Sequence, residues 1–290
     1  MRLNFVKMHG LGNDFMLVDW PTGQSPPSPE LVRRLGDRRR GIGFDSMLLL
    51  EAGGRYRVFN ADGGESGQCG NGARCIAAYL ADGDPLDLEL KSAAGPVQAR
   101  VGRNGIVSIN LGVPDFRPEA VPFKAGAAAA VTAAATPGAT AAAAPGPAAE
   151  PTPAYRLDLP SGPVEFGVVS MGNPHAVLFV DSVESAAVST IGPALQAHPS
   201  FPESVNVGFA EVAARDRIRL RVYERGVGET LACGTGAAAA VATGRVRGLL
   251  DQRVAVELPG GVLEVEWRGN GAELWQTGQT SKVYEGLIEI

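Results

Sequence analysis

A chain of 290 residues suffices for one large domain or two of ordinary size, and 45% hydrophobic with 20% charged residues is a globular composition. The net charge of −5, with 22 Arg and four Lys scattered along the chain, excludes the basic footprint of a nucleic-acid binder. Three cysteines are too few, and odd in number, for a disulfide scaffold.

The opening stretch, MRLNFVKMHG, has no apolar core of a signal peptide, and no long apolar run promises a membrane span. A reducing, cytoplasmic setting is therefore expected. RRLGDRRR at 33–40 reads as the solvated end of a helix. YRVFNA at 56–61 alternates like a strand, and after a Gly-rich turn CGNGA at 69–73 opens a helical run through ARCIAAYLADG. From 118 to 153 Ala predominates, but Pro and Gly interrupt every stretch, so a surface linker or expanded loop is expected. Beyond it, EFGVVSM, HAVLFVD and IRLRVYE read as strands, and ACGTGA at 232–237 opens a second helix, AAAAVATGRVRG. RVAVELPG, GVLEVEW and KVYEGLIEI complete the set, and the last is expected to cross back to the first part of the chain.

The two flanks of the linker resemble each other. YRVFNADGGESGQCGNGA (56–73) aligns without a gap on LRVYERGVGETLACGTGA (220–237), with eight of 18 positions identical. GNDFMLVD at 12–19 echoes GNPHAVLFVD at 172–181, and Gly43-Phe44 echoes Gly208-Phe209, in the same order. An internal duplication follows: an α+β fold of two pseudo-symmetric lobes, each a mainly antiparallel, barrel-like sheet around a central helix. The expected lobes are 1–117 with 279–290 and 155–278, separated by a linker at 118–154.

The duplication repeats Cys69 and Cys233, each at the start of a helix, where unpaired N–H groups and the helix dipole favour anions. Such a thiol is expected to fall from its usual pKa of about 8.5 toward neutrality, and the same N–H groups can take a carboxylate. Two tuned thiols about one carboxylate suit racemisation or epimerisation at an amino-acid α-carbon: one thiolate removes the proton and the opposite thiol returns one. Cys75 reads instead as a small buried residue. Cys69 and Cys75 stand too far apart for a zinc pair, GESGQCGNG lacks the P-loop lysine, and no lysine sits in an evident Schiff-base setting, so neither metal nor cofactor is expected.

KMHGLGNDF, GIGFD, FNADGGESGQCGNGARC, SMGNPH, VNVGF, YERGVGETLACGTGA and LPGG, in this order, resemble the diaminopimelate epimerase family. The resemblance implies cytoplasmic homodimers that interconvert LL- and meso-diaminopimelate without a cofactor, for lysine and peptidoglycan precursors. It makes Cys69 and Cys233 the catalytic thiols. It places Gly70, Asn71, Gly234 and Thr235 at the reacting carboxylate, with Asn13, Asn60, Asn173, Asn206 and Arg225 fixing the substrate, mostly at its distal end. His175 and Glu224 match positions that tune the thiols, Glu224 also reading as a ligand for the substrate ammonium. Tyr284 matches the family's dimer interface.

Two positions depart from the family pattern. Ser46 stands at a substrate-contacting position where glutamine is usual, and Thr235 replaces serine but keeps the hydroxyl. Two rival readings stay open at this point: a two-cysteine racemase of proline or hydroxyproline, which needs neither Arg225 nor the asparagines, and a thiol switch closing Cys69 on Cys233.

Overall fold

The structure is a computed structural model that describes residues 2–21, 23–125, 129–131 and 154–290. The chain begins with β1 (Arg2–Gly10), β2 (Asn13–Asp19), α1 (Pro29–Gly36), β3 (Ser46–Glu51), β4 (Arg55–Asn60), β5 (Glu65–Ser66), α2 (Gly70–Ala81), β6 (Leu86–Ser92), β7 (Gly95–Val101) and β8 (Ile106–Asn110). It continues with β9 (Ala129–Val131), β10 (Ala154–Leu159), β11 (Gly162–Ser170), β12 (Pro174–Phe179), α3 (Val188–Gln196), β13 (Asn206–Ala214), β14 (Arg217–Glu224) and β15 (Gly228–Thr230). Helix α4 (Gly234–Val246) follows, then β16 (Arg253–Leu258), β17 (Gly261–Trp267), β18 (Leu274–Gln279) and β19 (Ser281–Glu289). Two units result: Met1–Asn110 with Thr277–Ile290, and Leu111–Gln276.

In the first unit β1 pairs antiparallel with β2, β2 parallel with β3, β3 antiparallel with β4, and β4 antiparallel with β5 and parallel with β6, which pairs antiparallel with β7. The second unit repeats every step: β11 with β12 antiparallel, β12 with β13 parallel, β13 with β14 antiparallel, β14 with β15 antiparallel and with β16 parallel, and β16 with β17 antiparallel. Helices α1 and α3 fill the same slot, as do α2 and α4. The topology is that of a duplicated α+β fold. The final strand, β19, pairs antiparallel with β1 within the first unit.

Alternation builds the sheets. Along β14, Ile218, Leu220 and Val222 are buried while Arg217 and Arg219 face out. Several identities of the 18-residue repeat have a structural use. Arg57 makes a bidentate pair with Glu65, at 2.7 and 2.6 Å, and Arg221 makes the same pair with Glu229, at 2.6 and 2.9 Å. Partly exposed pairs of this kind contribute about 1 kcal/mol or less; their service is to fix the register of the hairpin that leads to each cysteine. Val58 and Val222 are buried behind it.

Both central helices are buried nearly all round, which small residues make possible. Along α4, Ala237 to Gly244 are buried, and a Cβ on Gly244 would stand 2.4 Å from Leu250. Ile76, Ala77 and Cys75 do the same for α2.

Three features differ from the sequence reading. The 118–154 segment was expected to be linker throughout, yet Val121 and Phe123 are core residues of the second unit, with Phe123 stacked on Phe201 at 4.9 Å. Two large apolar side chains suffice to anchor the start of this segment, which opens with a 3-10 turn at Pro118–Ala120. Residues 129–131 add a short strand against β10, while the rest of that segment lies outside the described residues. Secondly, RRLGDRRR is not simply a solvated helix end, because Arg38 is engaged by Asp14 and Asp45, each at 2.7 Å. Thirdly, α3 has no counterpart in the reading, since Gly192-Pro193 lies inside it. The glycine is needed there: a Cβ would stand 2.6 Å from the Tyr223 ring. Among the described residues no helix is long and apolar enough to cross a membrane.

Candidate active site

In the first unit Cys69 is the N-cap of α2, with extended backbone, and Gly72 N–H points at its sulfur at 3.4 Å. The sulfur thus takes the place of the hydroxyl oxygen in an ordinary cap, and it favours charge on the thiol as an anion at a helix start. Gly72 has no room for a side chain, because a Cβ would meet Leu48 at 2.8 Å. The buried Asn71 donates to Asn13 Oδ1 at 3.1 Å and accepts from Arg74 at 2.6 Å. Asn13 in turn donates to Asp45 at 3.0 Å. Ser46, buried at the start of β3, donates to Oδ1 of the exposed Asn60 at 3.3 Å. Gly70, Asn71, Asn13 and Cys69 thereby form one constellation, with Ser46 and Asn60 on neighbouring strands.

In the second unit Cys233 is the N-cap of α4, 4% exposed, with its sulfur 3.7 Å from Thr235 Oγ1. Gly236 again packs closely: a Cβ would lie 2.9 Å from Val222 and 3.2 Å from the sulfur itself. Asn173 donates to Thr235 Oγ1 at 3.3 Å, the counterpart of the Asn71–Asn13 bond. His175 Nε2 lies 2.9 Å from Asn173 Oδ1. Asn206, beside His175 in the parallel β12–β13 register, donates to Pro174 O and accepts from Arg225 N, both at 2.9 Å. Arg225 is exposed, with Nη1 on Glu203 O at 3.0 Å. Glu224 accepts from Thr230, and Gln276 donates to Gly234 O at 2.7 Å.

The electrostatics correct one expectation. The Cys233 thiol is not brought toward neutrality. Burial pushes it well above the ordinary thiol range, and the Glu224 carboxylate adds to this; the Gly236 amide and Thr235 hydroxyl act the other way without overcoming it. A helix start favours a thiolate, but desolvation of the buried sulfur is the larger effect here. Cys233 is therefore a thiol at neutral pH. His175 is pushed down to about 3 by burial and by the Arg225 charge, so it is neutral. Cys75 is buried in α2 and pushed up to about 12, in keeping with its packing role.

Tyr284 stands apart from these groups. It lies on β19 opposite Lys7, 45% exposed, with its ring edge-on to Phe5 at 5.9 Å, and exposed Val283 and Leu287 flank it. Several contributing residues escaped the sequence reading. Asp14 and Asp45 sit inside the motifs GNDF and GFD, next to residues that were singled out, and Thr230 aligns with Ser66. Gln276 gave no signal at all. Among the described residues no three His, Cys, Asp or Glu side chains converge as a metal-binding group.

The family model described as "Diaminopimelate epimerase" matches residues 5–116 and 167–283, both repeats together. The chain belongs to the diaminopimelate epimerase family. It is 46% identical to the diaminopimelate epimerase of Chromobacterium violaceum and 44% identical to that of Nitrosomonas eutropha, in each case over all of both chains. Among solved structures it is similar to a hydroxyproline epimerase from Agrobacterium vitis, with a TM-score of 0.66 at 16% identity over 99% of this chain and 92% of that one. It is also similar to a phenazine biosynthesis protein of Bacillus anthracis, with a TM-score of 0.63 at 15% identity over the whole of both chains. At such identities the likeness shows the fold alone. The fold is therefore shared with proteins that carry other names, a hydroxyproline epimerase and a phenazine biosynthesis protein among them.

Proposed function

We propose that this protein epimerises LL-diaminopimelate to meso-diaminopimelate by a two-base mechanism that needs no cofactor, serving lysine and peptidoglycan precursor synthesis in the cytoplasm. The observation that carries the reading is the repeated strand–turn–Cys–helix unit, with Cys69 and Cys233 each capping a buried helix in a chain of this family.

One thiolate takes the α-proton, and the other cysteine's thiol gives a proton to the opposite face of the carbanion. The first-turn N–H groups at Gly70, Asn71, Gly234 and Thr235 bind the carboxylate and spread the carbanion's charge. Cys69, whose sulfur already receives the Gly72 N–H, starts as base. Cys233, held as a thiol, starts as acid; in the reverse direction Glu224 takes the Cys233 proton and Cys69 gains one from solvent, so that the two sulfurs exchange roles. Asn13, Ser46, Asn60, Asn173, Asn206 and Arg225 hold the rest of the substrate, Arg225 offering a fork to the distal carboxylate. His175, being neutral, acts by orienting Asn173 rather than through charge. The chain works as a homodimer through the β19 face around Tyr284, where Val283 and Leu287 are also exposed.

Incubation with LL-diaminopimelate, with the isomers separated afterwards, tests the activity. Meso product without added cofactor is expected. Turnover of proline or hydroxyproline in its place would favour the rival racemase.

A further inference from the structure

Arg74 is the largest charged side chain buried in the first unit, at 0% exposure, and it lies within α2 only five residues after the Cys69 cap. Helical side chains lean toward the N-terminus. Arg74 does so here, since its Nη2 reaches Asn71 Oδ1, one turn earlier, at 2.6 Å. The guanidinium is thus drawn back along the first turn of the helix, with Nη2 only 3.6 Å from where a Cβ on Gly10 would stand. Burying a charge costs several kcal/mol unless an anion answers it.

From this placement we propose that Arg74 is a positioning residue for Cys69: its fixed positive charge, set behind the helix start, holds the sulfur as thiolate and orients the asparagines beside it. Burial lowers Arg74 to about 10, so it stays cationic at neutral pH; charge on Cys75 and on Cys69 favours the guanidinium, and by reciprocity the guanidinium favours thiolate at Cys69. The helix dipole and the cation act together there, whereas Cys233 has an acidic neighbour in Glu224. The same guanidinium begins a head-to-tail chain: Arg74 to Asn71, Asn71 to Asn13 at 3.1 Å, Asn13 to the Asp45 carboxylate at 3.0 Å. A cation at one end and an anion at the other leave each amide one favourable orientation. The other ionisable groups facing this region are Tyr56 on β4, which a charged Cys69 pushes up in addition to its burial, and Cys75 on α2 itself. Lys7 on β1 is taken up by Asp14 of β2 at 2.5 Å, and Asp14 also by Arg38.

The inference rests on reading Cys69 as a reacting thiol, but its test needs no turnover. The rate of Cys69 alkylation by iodoacetamide, resolved by peptide mass spectrometry, is followed from pH 5 to 10 in the full chain and in Arg74→Gln and Arg74→Lys. The Gln variant should raise the pH midpoint by about one unit, equivalent to a roughly tenfold slower reaction at pH values below both midpoints, while the Lys variant stays near wild type. A folded Gln variant with an unchanged midpoint overturns the proposal. Should the Gln variant be recovered unfolded, the Lys variant decides: an unmoved midpoint supports the role of charge, and an upward shift with the charge retained contradicts it. An alkylation shift of the expected size in a chain that does not epimerise diaminopimelate would sink the function proposed above and leave the role of Arg74 standing.

Discussion

His175 Nε2 sits 2.9 Å from Asn173 Oδ1, and the amide nitrogen of the same Asn173 donates to Thr235 Oγ1 at 3.3 Å. With its oxygen toward the ring, Asn173 requires the Nε2–H tautomer, and among the described residues Nδ1 meets no hydrogen-bond partner. The imidazole is thus a neutral prop for Asn173, which steadies the hydroxyl beside Cys233.

His175→Asn should change how stability depends on pH. The unfolded chain binds a proton at His175 near 6.5, whereas the folded chain does not until about 3. Stability from this residue is therefore greatest above 6.5 and falls as pH drops through the window from 6.5 to 3. Urea unfolding of wild type and variant at pH 7 and pH 5 should show wild type losing about 2 kcal/mol more than the variant. Parallel losses would mean that His175 titrates normally.

Glu224→Gln removes the carboxylate that, after burial, does most to raise Cys233. Alkylation of Cys233 at pH 8 should become faster by a few fold, while epimerisation slows by a factor on the order of 10² because the proton acceptor is gone. Slower alkylation in the variant would show that Glu224 promotes the thiolate instead.

Asp14 is surrounded by cations. Burial alone would raise it, but hydrogen bonds from Arg38 and Lys7 prevail and hold its carboxyl well below the usual carboxylate range. Its contribution is present above the ordinary carboxylate pKa and disappears only in strong acid. Asp14→Asn takes the anion from the buried Lys7, which keeps the Gly43 carbonyl, and should destabilise the protein by about 3 kcal/mol at pH 7, measurable in urea. A loss under about 0.5 kcal/mol would place the pair among surface bridges of little consequence.

Gly72→Ala and Gly236→Ala test why the motif is Cys-Gly-x-Gly. The added methyl meets Leu48 at 2.8 Å in one unit, and Val222 and the Cys233 sulfur at 2.9 and 3.2 Å in the other. Each should cost about 1–3 kcal/mol of stability, and Gly236→Ala should also lower kcat by moving the sulfur. Wild-type kinetics in a folded Gly236→Ala protein would separate the glycine from the chemistry.

Much of the fold was legible because duplication writes the same structural demands twice. Arg57 and Arg221, or Gly72 and Gly236, announce themselves by recurring, and alternation marks strands such as β14 and β16. The helix α3 was hidden, since Gly192 and Pro193 argue against a helix locally and only packing on Tyr223 explains the glycine. The cysteines were evident from their paired contexts, but the rise of the Cys233 thiol was not: a helix start can be read in sequence, whereas desolvation depends on the atoms that close around the sulfur. Asp45 and Gln276 hold other site residues from a distance along the chain, which local pattern does not record.

The central claim is that two thiols share one α-carbon as base and acid. Its most direct test is the first turnover of LL-diaminopimelate in deuterium oxide, by wild type, Cys69→Ala and Cys233→Ala. Two bases predict deuterium at the α-carbon of the meso product with little in the recovered substrate, and loss of epimerisation in both variants. Equal early labelling of substrate and product, or either variant turning over at the wild-type rate, would contradict it.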